Sequence, residues 1–424
     1  MTATVPAAPA ARPAAAARAA AAVRDWPWWV QVLAVYGAAR LVSAVILLVV
    51  AHQQAENLWT PASPSYAQWT GRMWDASWYR SIAEGGYPST LPRGDDGAVE
   101  QNAWAFYPLF PVLARGLTSL TGLGWDVVAP TLSLLLGAAA MLVIHRLVAG
   151  ADRAVARRPG LPLATVAVVS VFPSSPVLQT AYTESLGLLL VATTLLLLVR
   201  RRYEWAAGAV LLLGLSRAVA LPMACVVLWH GLVRARHWWR ARAAAPAGAR
   251  AAARGRALVD GARVGALLVI TLLAGVAWQL VVGAVTGERD AYFRTQSAWR
   301  AGADVVPVQP WIDVSRWLWG DAGPWIMLAV LVAFAAAVLS PPTARLGPEL
   351  QAWSGAYLAY LVAVVPPGSS LVRFLLLAFP LGASLVGWTR SRLWFWCVVV
   401  ASVAGQLWWV WTFWRLVPPS GWPP

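Results

Sequence analysis

Apolar residues recur in long blocks along nearly the whole chain, at 28–50, 126–147, 161–179, 183–199, 204–216, 218–233, 264–285, 323–339, 350–366, 371–388 and 393–414. Blocks of about 17 to 25 residues suit helices that cross a bilayer. Hydrocarbon offers backbone groups no hydrogen-bonding partner, so each block is expected to satisfy its own amides as an α-helix. The pattern predicts an all-α integral membrane protein of about eleven transmembrane helices. Two stretches resist a simple reading. Residues 104–120 are apolar but broken by prolines, which predicts a proline-kinked, interfacial or partly inserted segment. Residues 204–233 form either one long helix or two short ones turning near Arg217.

Composition agrees with this pattern. The 424 residues are 59% hydrophobic and only 12% charged, about half the charged share of a soluble domain. A net charge of +15 invites a nucleic-acid reading, but the charge is sorted by loop, as the positive-inside rule requires. No nucleic-acid partner is expected. With the N-terminus inside, arginines collect in the tail, in 146–158, in "RRR" at 200–202 and in the basic stretch 234–263. This bias favours two helices over one in 204–233, and it leaves Arg40 at intermediate depth. Residues 1–25, rich in Ala, Pro and Arg, read as a disordered cytoplasmic tail, and 26–424 as one multi-spanning domain. Its first outer loop is 51–103 and 234–263 is a basic cytoplasmic loop. The first apolar block is too long and Trp-flanked for a cleaved signal, so it is expected to anchor the chain in the plasma membrane.

The same topology gathers the polar variety on the outer face. In "RMWDASWYRSIAEGGYP" (72–88), Asp75 lies between Trp74 and Trp78–Tyr79. A helix over 74–84, ended by Gly85–Gly86, would rest at the membrane surface and present the carboxylate among aromatic rings. A carboxylate so placed can take a proton from a hydroxyl, and aromatic faces suit sugars. The plainer reading is an interfacial helix whose tryptophans sit among the headgroups. Glu184, in "QTAYTES", is either a helix-start charge or a site residue. Arg217, in "GLSRAVALP", and Arg373, in "SSLVRFLLLAFP", are boundary ions. They suit a lipid-linked phosphate or snorkel to headgroups. No Lys is present, so no Walker-type loop exists. Cys225 and Cys397 fall in apolar blocks, Asp95–Asp96 reads as a solvated turn, and no metal motif occurs. No metal or cofactor is expected.

"WDASWYRSIAEGGYP", "FYPLFPVLARGL", "FPSSPVLQTAYTESL", "GLSR" and "SSLVRFLLLAFPL" together resemble the bacterial relatives of phosphatidylinositol-glycan class V, a mannosyltransferase family. The resemblance runs from about residue 28 to 390, without 234–263. It implies a GT-C glycosyltransferase with its site on the extracytoplasmic face. The donor would be a polyprenyl-phosphate sugar, usually mannose, and the acceptor a glycolipid, glycan or protein, both met among membrane lipids. Asp75 would be the catalytic carboxylate, with Arg217 and Arg373 on the donor phosphate. Trp74, Trp78, Tyr79, Tyr87, Tyr107, Tyr182 and Glu184 would position sugar or acceptor. After Asp75 the eukaryotic pattern commonly has His-Phe where Trp78–Tyr79 stands here, so the resemblance bears on the reaction more than on the acceptor. A transporter or flippase for a lipid-linked sugar is the alternative, and it should show broken helices in matching positions. A non-catalytic scaffold predicts no focused cleft at Asp75.

Overall fold

The computed structural model describes residues 25–244, 246, 250–300, 302 and 306–416. The tail expected over 1–25 therefore lies, except for Asp25, outside the described residues, as do positions 245 and 247–249 of the basic stretch. Among the described residues the chain is helices and their connections, and the one strand-like pairing is an isolated bridge between Arg93 and Val99.

Helix occupies every predicted apolar block. Five helical stretches are long and apolar enough to cross a membrane: Trp28–Ala51, Trp125–Ala149, Arg254–Thr286, Gln309–Arg345 and Arg392–Trp414. The protein is a helical membrane protein. The 204–233 ambiguity resolves as two helices, Tyr203–Gly214 and Ala220–Ala244, with the turn carrying Arg217 between them. Residues 234–263 are largely helical extensions rather than a loop. Ala220–Ala244 runs on past the apolar block, Arg250–Thr286 starts before the next one, and Arg234 pairs with Asp260 between them. Alanine and arginine are strong helix formers, so the basic composition continues the helices it follows. The prolines of 104–120 also act differently from expectation. Pro108 precedes helix Leu109–Thr121 and Pro111 lies in its first turn, so they open a helix instead of kinking one.

Two apolar blocks are broken, and both breaks serve the site. Block 161–179 divides into Leu161–Ser170 and a 3-10 turn Ser175–Gln179. Pro173 and Pro176 bring no amide hydrogens, so the ladder cannot continue through them. The carbonyls left over are claimed by side chains. Arg40, buried in Trp28–Ala51, donates to the Ser170 and Ser175 carbonyls. Gln406 Nε2 donates to Val171 O at 2.9 Å, and Ser175 Oγ to Ser170 O at 2.8 Å. The intermediate depth expected for Arg40 thus becomes full burial, its charge spread over the negative end of a helix. Block 371–388 divides into Leu371–Phe374, a 3-10 turn Leu375–Ala378 and Phe379–Gly387, the last opened by Pro380. The two breaks touch, Ser174 Oγ donating to Val372 O at 3.0 Å.

Small residues let helix backbones meet. A Cβ on Gly214 would stand 2.4 Å from Ala274 O, so helices Tyr203–Gly214 and Arg250–Thr286 pack there backbone to backbone. Gly214→Ala must push them apart at a cost of about 1–3 kcal/mol. Thermal unfolding in detergent, followed by tryptophan fluorescence, should show a midpoint lowered by several degrees; an unchanged midpoint contradicts the close packing.

Candidate functional site

The Asp75 helix is positioned by the short helix before it. Ser65 caps Tyr66–Arg72 through a reciprocal box with Gln68. The end of that helix is pinned to the start of Trp125–Ala149: Arg72 grips Asp126 with two nitrogens, and Trp125 Nε1 donates to Gly71 O at 2.7 Å. Gly71 is required, because a Cβ there would lie 2.9 Å from Asp126 Cα. The chain then reverses at Trp74, which adopts φ 57° and ψ −125°. A non-glycine residue held there costs about 1–3 kcal/mol. Trp74 is kept in place by burial and by its indole, which donates to Trp414 O at 2.8 Å. Strain is thus stored on the residue just before Asp75, which opens helix Asp75–Gly85. Gly86, at φ 79°, closes that helix by donating to Ile82 O.

The tryptophans of this segment pack within the protein, Trp74 buried and Trp78 against Phe106. The helix starts one residue later than predicted, leaves Trp74 outside, and buries Ala76, Tyr79, Ile82 and Ala83. Tyr79 is buried edge-on against Phe106 and Phe110, which fixes the helix from the same side. Asp75 consequently points into the protein. Its Oδ2 accepts from Arg373 Nη1 at 2.5 Å, and its backbone amide donates to Tyr182 Oη at 3.2 Å.

From this pair runs an unbroken chain of charge. Arg373 Nε lies 3.4 Å from Glu184 Oε1, and the same oxygen accepts from Arg217 Nη1 at 2.8 Å. Arg217 Nη1 also donates to Thr183 Oγ1 at 2.8 Å, which meets Tyr79 Oη at 3.1 Å and so closes the circuit onto the Asp75 helix. Signs alternate along Asp75, Arg373, Glu184 and Arg217, so the formal charge cancels. That alternation is what makes burial tolerable. Side-chain exposure is graded: 0% for Glu184, 7% for Arg373, 13% for Arg217 and 20% for Asp75. Asp75 is the member most open to a ligand. Both guanidinium groups lie over Phe374, at 5.4 Å for Arg217 and 5.1 Å for Arg373, and Arg373 also lies 4.9 Å from the Tyr182 ring. Burial, and then the Asp75 carboxylate, pushes the Tyr79 and Tyr182 phenols up, so both keep their protons at physiological pH.

Of the residues singled out from sequence, the fold joins Asp75, Tyr79, Tyr182, Glu184, Arg217 and Arg373, with Trp74 setting the turn. The others line a neighbouring aromatic wall. Trp78 stacks on Phe106 and meets Trp299 edge-on, and Tyr87 stacks on Trp104 at 4.5 Å. Tyr107 meets Tyr292 through their hydroxyls at 3.4 Å. Sequence reading passed over Thr183, Phe374, Trp414 and Gly187. Thr183 and Phe374 sit directly beside Glu184 and Arg373, and that adjacency was the available signal. Gly187 lies one turn after Glu184, where a Cβ would stand 2.7 Å from Arg217 Cδ. Trp414 has no local signal. It meets Trp74 from 340 positions away.

The outward side of the Asp75 helix borders an open cavity of about 530 Å³ walled by Trp59, Arg72, Ser77, Arg80, Ser81 and Glu84. Among the described residues no cluster of three or more His, Cys, Asp or Glu side chains is arranged to hold a metal ion. Asp96 accepts from Ala98 N at 2.9 Å within a turn. A second polar group lies toward the other end of helix Tyr203–Gly214. There His230 Nδ1 meets Glu349 Oε1 at 2.7 Å, and its Nε2 meets Tyr203 Oη at 3.1 Å. No family model matches the chain, and no curated protein matches it in sequence.

Proposed function

We propose that this protein is an inverting glycosyltransferase of the GT-C type. It would move a hexose, mannose by resemblance to the class V family, from a polyprenyl-phosphate donor to an acceptor hydroxyl. In this reading the chain crosses the plasma membrane about eleven times with its N-terminus in the cytoplasm, and the Asp75 cluster opens extracytoplasmically. The observation that carries the reading is the convergence of Asp75, Glu184, Arg217 and Arg373 on one mostly buried cluster from four separate segments. Asp75 takes the proton of the acceptor hydroxyl as its oxygen attacks the anomeric carbon. The bond from that carbon to the phosphate oxygen breaks, and Arg217 and Arg373 stabilise the charge gathering on the departing phosphate. Tyr79 and Tyr182, held protonated, supply hydroxyl donors beside the carboxylate.

One observation favours a second reading. The broken blocks 161–179 and 371–388 meet beside the cluster, and discontinuous helices are how many transporters build a substrate site. Proteoliposomes loaded with labelled polyprenyl-phosphate mannose and mixed acceptor lipids separate the two. Transfer moves label onto an acceptor; transport moves intact donor between leaflets. A wild-type protein that does only the latter sinks the transferase reading.

Gly187→Ala should disturb Arg217 without touching substrate. Because misplacement of a positioned group by about 1 Å can cost on the order of 10²-fold, transfer should fall roughly tenfold to hundredfold while the variant still elutes as a folded, monodisperse protein. Normal transfer by Gly187→Ala would show that Arg217 is not a precisely held phosphate ligand.

A further inference from the structure

In the transfer proposed above, Arg373 has to serve two anions, Asp75 and the donor phosphate. Its Nη1 is spent on Asp75 at 2.5 Å, while its Nε faces Glu184 at 3.4 Å with no hydrogen bond made. A phosphate at Arg373 would bring a second anion against the Asp75 carboxylate, and the two would compete for one positive charge. Asp75 is engaged as well, its Oδ2 closed on Arg373, its one cation among the contacts of the described residues. Freeing either partner frees the other.

We propose that donor binding arms the base by ion-pair exchange: the donor phosphate replaces Asp75 on Arg373, and only then can Asp75 accept the acceptor's proton. This rests on the phosphate-donor reading above and adds an order to it, donor before acceptor. The charge balance supports the sequence of events. The four side chains sum to zero, and a phosphodiester adds one negative charge. Asp75, displaced from its cation, becomes the place where a proton relieves that excess. The acceptor O–H bond breaks to Asp75, the acceptor oxygen bonds to the anomeric carbon, and the carbon–phosphate-oxygen bond breaks with its electron pair leaving on the phosphate. When polyprenyl phosphate departs and Asp75 releases its proton to water, the Asp75–Arg373 pair closes again. Before donor arrives, Asp75 stays closed on Arg373. Asp75 can move because it is the most exposed of the four and stands at the first position of its helix, next to the strained Trp74.

The test is binding of farnesyl phosphate, a short isoprenyl phosphate, to the full chain in lipid nanodiscs. Close ion pairs couple strongly, so removing the competing carboxylate should tighten the phosphate. Asp75→Asn and Asp75→Ala are expected to bind it at least about tenfold more tightly than wild type. Glu84→Gln, which removes a charge from the same helix but one paired with Arg80, should stay within about twofold. In wild type, phosphate addition should shift a carboxylate stretching band in the infrared, and the shift should be missing in Asp75→Asn. That measurement decides the matter if neither Asp75 variant is recovered folded, since an unmoved band then rejects the exchange. Equal or weaker binding by folded Asp75→Asn also overturns it, and leaves the transferase reading intact. Tighter binding together with no sugar transfer by wild type keeps the exchange and removes the transferase reading.

Discussion

Asp75→Asn is expected to lower transfer from polyprenyl-phosphate mannose by about 10²–10⁴-fold, the usual contribution of a positioned general base. The substitution is nearly isosteric, and the amide oxygen can still accept from Arg373 Nη1, so the helix start and the Tyr182 contact should survive. What disappears is the capacity to take a proton. Initial rates in matched proteoliposomes, with protein normalised by monodisperse elution, measure the loss. Asp75→Glu, which keeps the chemistry on a longer arm, should retain part of the rate. If Asp75→Asn transfers sugar like wild type, Asp75 is a structural counter-ion and the catalytic assignment is wrong.

Arg373→Met carries the largest expected effect on stability. Arg373 is the only cation on Asp75 among the contacts of the described residues, and it shares Glu184 with Arg217. Removing it leaves Asp75 with no cation and Glu184 with Arg217 alone. Breaking a buried pair by deleting one partner costs about 3–5 kcal/mol. The variant should melt far below wild type in detergent and show no transfer. Arg373→Lys keeps the charge but loses the planar fork, so it should regain most of the stability and little of the rate. The double variant Asp75→Asn, Arg373→Met should be more stable than the sum of the single losses predicts, because the two residues touch. Additive losses would show that the 2.5 Å pair contributes nothing of its own.

The buried alternating chain also accounts for why plain snorkelling of Arg217 and Arg373 does not describe their placement. A snorkelling arginine keeps its guanidinium in water or headgroups. These two are 13% and 7% exposed and are spent on carboxylates. The helix-start role of Glu184 does hold, since it opens Glu184–Val199, but a cap alone does not need two guanidinium partners.

Much of the architecture was legible along the chain, because a bilayer imposes one rule on every crossing segment. Helices therefore stand where the apolar blocks stand, and charge bias correctly divided 204–233 into two. The motif "WDASWYRSIAEGG" also announced a short helix ended by glycine, since a left-handed terminus after Gly85 is written in local chemistry. The sequence singled out Asp75 as a carboxylate among aromatic rings, Glu184 as a helix-start charge or site residue, and Arg217 and Arg373 as costly boundary ions. It could not pair them. Asp75 meets Arg373 across 298 positions, and which carboxylate a guanidinium takes depends on how two broken helices and the Trp74 turn are packed. Tertiary structure alone decided that Arg40 is a helix-break clasp, that Tyr87 and Tyr107 belong to an aromatic wall, and that Trp414 braces Trp74. Helical periodicity and hydropathy act within a segment and can be read from neighbours in sequence. Ion pairing and ring packing act between segments, and their partners are settled only when the whole bundle closes.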